Sequence, residues 1–90
     1  MPHSPDLRTY ALSVPDKEAP HYPFPLVSYG HVFPLHLYTA GFTKAELWML
    51  LDQSGVNSLS EVIQAELTQP GCLVVVSRPN NKRENRAQQH

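Results

Sequence analysis

The chain has 90 residues, with eight acidic against seven basic side chains, a formal net charge of −1 and a single cysteine, Cys72. This length supports one domain with a modest core, and the lone thiol excludes an intramolecular disulfide framework. With no Cys/His cluster to hold structural zinc, association with a second copy is the remaining source of added stability.

Seven of the nine prolines lie at or before residue 34. Each fixes its own φ and pushes the preceding residue out of the helical region, so residues 1–25 read as a Pro-rich extended arm. Tyr10, Leu12, Val14, Tyr22 and Phe24 make the arm apolar enough to dock on something, the alternative being a leader without contacts. The opening MPHSPDLRTY lacks the basic and apolar regions of a signal peptide. The longest apolar runs, LWMLL and CLVVV, fall far short of a membrane span. The expectation is a soluble, cytoplasmic protein with no membrane partner.

Residues 26–77 are expected to form an α+β dimerisation core. Within it 26–40, LVSYGHVFPLHLYTA, is rich in β-branched and aromatic side chains and favours extended structure. Pro34 divides this stretch into two short strands, or delays a single strand to Leu35. Thr43 and Glu46 have the spacing of a capping box, and Phe42 and Leu47 that of a hydrophobic staple. Together they predict a helix over 44–54, stopped by Gly55. Ser58 and Glu61 repeat the capping signal, and Leu59, Val62, Ile63 and Leu67 recur at helical spacing, which predicts a second helix ended by Gln69-Pro70-Gly71. Leu73–Ser77 reads as a short buried C-terminal strand. Residues 78–90 are polar and basic and read as a disordered tail.

A strand, a helix, a glycine-containing turn and a second helix opening on Ser58-Leu59-Ser60-Glu61 resemble the ribbon-helix-helix superfamily over residues 35–68. The match is carried by Gly55-Val56-Asn57-Ser58-Leu59-Ser60-Glu61-Val62-Ile63. The resemblance implies an intertwined homodimer in which two strands pair across a dyad and the helices share one core, with Leu35, Leu37, Leu47 and Leu51 at the dimer interface. That would account for Leu47-Trp48-Met49-Leu50-Leu51, which is apolar nearly all the way round where a surface helix needs one stripe. Thr39-Ala40-Gly41-Phe42 and the Leu73–Ser77 strand depart from the simplest members. The alternative is a self-contained α+β fold in which 26–40 and Leu73–Ser77 form a sheet over the helices.

The resemblance also implies a DNA-binding alternative, a transcriptional repressor. His36 and Tyr38 on the ribbon would read bases, the second helix start at Ser58 and Ser60 would hold phosphate, and Lys82 and Arg83 in the tail would add charge. Electrostatics oppose this. From Leu26 to Ser77 one base, Lys44, stands against Glu46, Asp52, Glu61 and Glu66, whereas phosphate neutralisation supplies most DNA affinity. Binding to another protein is the favoured expectation. Trp48 and Met49, with Tyr22, Phe24, Tyr29 and Phe33, are the side-chain types that anchor interfaces. The reading is a small non-enzymatic regulator that binds and inhibits another protein, a transcription regulator being the candidate, in the manner of an antiactivator. No cofactor or metal is implied: the five histidines are scattered, and no general acid/base pair stands out.

Overall fold

The computed structural model describes residues 7–78. Residues 79–90 of the expected tail and the first six residues of the arm lie outside this range. The fold is built on the hairpin of β4 (Val62–Gln69) and β5 (Cys72–Ser77), turned by Pro70-Gly71. Proline presets φ at the first central position of this turn and Gly71, at φ 78°, takes the second, a pairing that suits type II geometry. β1 (Arg8–Ser13) pairs with the outer side of β5, and β2 (Phe24–Ser28) with β4. β3 (His31–Val32) completes a five-stranded antiparallel sheet in the order β1-β5-β4-β2-β3. Between β2 and β3, Tyr29 and Gly30 both have positive φ, as a two-residue hairpin turn requires.

One face of the sheet is apolar in register. Leu12, Leu73, Leu67 and Phe24 form one cross-strand row, and Tyr10, Val75, Ala65 and Val27 the next. Two helices close over this face. α1 (Pro34–Ala40) begins with proline at its first turn, where the missing N–H costs nothing, and buries Leu37 and Ala40. α2 (Lys44–Gln53) buries Leu47, Leu50 and Leu51. These side chains join Leu26, Val56, Val62 and the two sheet rows in a single core. Each fully buried leucine contributes roughly 1.5–3 kcal/mol by leaving water.

The domain is α+β, but it is not a ribbon-helix-helix fold, which has one short strand pair where this chain has a five-stranded sheet. The expected second helix is a three-residue 3-10 turn, Leu59–Glu61, followed by β4. A bulge explains the misleading periodicity. Val62 pairs with Ser77 and Gln64 with Val76, so Ile63 is an extra residue, and the inward positions become Val62, Ala65 and Leu67. A spacing of three followed by two imitates a helical stripe. The expected strand from Leu35 is instead α1, because Pro34 opens a helix here rather than interrupting a strand.

The intertwined core fails with the ribbon. Leu37, Leu47 and Leu51 are buried against the chain's own sheet, while Leu35 stands in solvent on α1. The second face of LWMLL is also accounted for, since three of its leucines turn inward and only Trp48 and Met49 remain outside. Among the described residues no helix is long and apolar enough to cross a membrane.

Candidate protein-binding face

The placement of α2 is set at its N-terminus. The Thr43 hydroxyl accepts from the Glu46 N–H at 3.0 Å, and a Glu46 carboxylate oxygen accepts from the Thr43 N–H at 2.9 Å, the reciprocal capping box. Lys17, from the loop after β1, donates to the same carboxylate at 3.0 Å and to the Gly41 carbonyl at 2.7 Å. Its ammonium also lies 5.1 Å from the centre of the Phe42 ring, within cation–π range. The Thr43 N–H first, and Lys17 second, hold the Glu46 carboxyl below its ordinary pKa.

With both helices fixed, four large apolar side chains are left outside. Leu35 is 77% exposed and Tyr38 83% on α1, and Trp48 is 43% and Met49 54% exposed on α2. Leu35 and Tyr38 are three residues apart and so share a face of α1, opposite Leu37 and Ala40. Leu35 borders a shallow apolar depression of about 360 Å³ with Phe33, Pro34 and His36. Met49 borders a second hollow of about 190 Å³, shared with Val14, Pro15 and Leu50 and with the charged Asp16, Lys17 and Glu46. Single exposed apolar residues are ordinary on protein surfaces. Here they form two groups, Leu35 and Tyr38 on α1 beside the first hollow, and Trp48 and Met49 on α2 with Met49 beside the second.

The other expected partner-binding residues fall into a separate group. Phe24 is buried, stacked on His36 at 4.3 Å between ring centres and met edge-on by His21 at 5.2 Å. Phe33 touches the same imidazole edge-on at 5.4 Å. His36 Nδ1 lies 2.7 Å from the Pro25 carbonyl oxygen, which can only accept, so this nitrogen carries the proton. The cluster therefore joins α1 to β2. Tyr22 is half-buried, its hydroxyl accepting from the Ala19 N–H at 2.8 Å, and Tyr29 is exposed at its hairpin tip.

The described members of the nucleic-acid set lie on two separate elements. His36 and Tyr38 are on α1 rather than a ribbon, and Ser58 and Ser60 hydrogen-bond each other at 2.9 Å around the 3-10 turn. Glu61 turns its carboxylate back to accept from the Asn57 N–H at 3.0 Å. Lys82 and Arg83 lie outside the described residues, which carry four basic side chains against six acidic ones. Sequence reasoning missed Leu35 and Tyr38 as an outward helical pair. Their three-residue spacing after Pro34 was the available signal. No protein-family model, curated protein or solved structure matches the chain.

Proposed function

We propose that this chain is a non-enzymatic regulator that binds another protein through its helical layer and inhibits it by covering part of its surface. The observation that supports this reading is the outward set Leu35, Tyr38, Trp48 and Met49, placed over a core that is already complete without them. Aromatic and methionine side chains are rich in contact area and recur as interface anchors. Methionine in particular adapts its shape to a partner. A larger protein that controls transcription is the proposed target, bound in the manner of an antiactivator. The excess of acidic over basic side chains in the described domain suits a partner with a basic surface, the usual state of a DNA-binding protein.

Affinity capture from native lysate tests this reading, using wild type beside Trp48→Ala and Tyr38→Ser. A DNA-binding partner retained by wild type and lost by both variants, whose operator binding falls on addition of the purified chain, is the expected result. Equal recovery of the same partners by all three proteins would contradict it.

A further inference from the structure

The sheet has two edges of unequal kind. β3 is two residues long, and short edges resist strand addition. β1 is six residues long and pairs with β5 at every position from Arg8 to Ser13 without a bulge. It contains no proline, lysine or bulge, and its one charge, Arg8, sits at its first position, so little blunts this edge.

The hydrogen-bond pattern shows which groups this edge offers. Val14 N–H donates to the Gly71 carbonyl at 2.9 Å, and these two residues continue by one step the register that ends with Ser13 opposite Cys72. In an antiparallel pair, bonded and non-bonded positions alternate. Leu12, Tyr10 and Arg8 therefore bond to β5, while the N–H and C=O groups of Thr9, Ala11 and Ser13 point away from the sheet. Among the described residues no backbone group reaches them.

From this we infer that β1 is a homodimerisation edge, pairing antiparallel with β1 of a second copy about a two-fold axis at Ala11. That register is self-complementary. Thr9 bonds to Ser13 of the second copy, Ala11 to its own counterpart, and Ser13 to Thr9, giving about six backbone hydrogen bonds. On the core face the half-buried Tyr10 lies opposite the half-buried Leu12 of the second copy, a non-bonded position where side chains approach most closely. Charge fits as well. Arg8 comes opposite Val14 of the second copy, beside the Val14–Lys17 turn that carries the exposed Asp16. Arg8 and Asp16 both belong to the helical side of the sheet, and neither makes an ion pair among the described residues. The axis runs perpendicular to the sheet, so both helical layers face the same way. The pairing itself does not depend on what those layers bind.

The test is the mass of the full chain in solution by sedimentation equilibrium at micromolar concentrations. The expected species is a dimer of about 20 kDa, twice the 10.1 kDa chain. Ala11→Pro removes an N–H that β5 does not use, and should yield a monomer with unchanged circular dichroism. Should that variant fail to fold, Arg8→Glu decides. Placed beside Asp16, the new carboxylate should weaken the dimer by about tenfold, and Arg8→Glu with Asp16→Arg should restore it. A wild-type chain that stays monomeric, or a dimer that neither Ala11→Pro nor Arg8→Glu weakens, would overturn the inference. A dimer lost instead on Trp48→Ala would move the contact to the helices and overturn it equally.

Discussion

Lys17 and Glu46, 29 positions apart, meet at 3.0 Å and tie the loop after β1 to the first turn of α2. The contact fastens that loop to a helix start already set by the Thr43–Glu46 capping box. Lys17 also caps the Gly41 carbonyl at the end of α1, so one ammonium serves both helices.

Glu46 makes the stability of the fold depend on pH. The folded-state pKa of Glu46 lies below its ordinary value, chiefly because of the Thr43 N–H and then because of Lys17. A depressed carboxyl adds stability at pH values above its unfolded pKa, and that contribution is lost as pH falls through the folded pKa. Urea denaturation of wild type should therefore show an acid-side loss below about pH 4.5 that is smaller in Glu46→Gln. Identical acid limbs in the two proteins would remove the carboxylate from the account.

Thr43→Ala tests the cap separately. Losing the hydroxyl leaves the Glu46 N–H without its partner and should cost about 1 kcal/mol, read from the denaturation midpoint at neutral pH. A change within error of zero would mean the capping box contributes nothing net.

Neighbouring residues of α1 should behave oppositely. Leu37→Ala opens a cavity under the helix and should cost about 2–5 kcal/mol. Tyr38→Ser changes a solvent-exposed side chain and should stay within about 0.5 kcal/mol of wild type. If α1 were the strand expected from sequence, both positions of an alternating pair would still differ, but Leu35→Ser would then match Leu37→Ala in severity. On a helix it should match Tyr38→Ser.

Gly30 supplies a backbone test. A Cβ there would sit 3.2 Å from the Leu59 carbonyl oxygen, on a residue at φ +82°. Gly30→Ala should cost about 1–3 kcal/mol, whereas Gly41→Ala meets no atom closer than 4.0 Å and incurs the φ penalty alone. Thermal melts that rank Gly41→Ala as the worse of the two would contradict the packing of the β2–β3 turn on the 3-10 turn.

The legible parts of the chain are those where local chemistry decides structure. Thr43-x-x-Glu46 with Phe42 and Leu47 marks α2 because capping needs nothing beyond the segment itself. Leu73–Ser77 marks most of β5 because its run of three valines suits a paired strand. β4 was obscured because the bulge at Ile63 is imposed by β5, and the resulting three-then-two spacing is not distinguishable within the segment from a helical stripe. β1 was hidden by its proline-rich surroundings, although Tyr10 and Leu12 alternate as a half-covered strand should. Trp48 and Met49 were readable as surplus to one core. The outward direction of Leu35 and Tyr38 depends on Pro34 starting a helix, a choice made by packing on β2.

Trp48 and Met49 face solvent in the free chain, and the proposed function requires a partner protein to cover them. Oxidative footprinting measures this directly, comparing the free protein with the complex recovered from native lysate. Strong labelling of both side chains in the free protein and their protection in the complex is the predicted result. Equal labelling of Trp48 and Met49 in the two states would contradict the account.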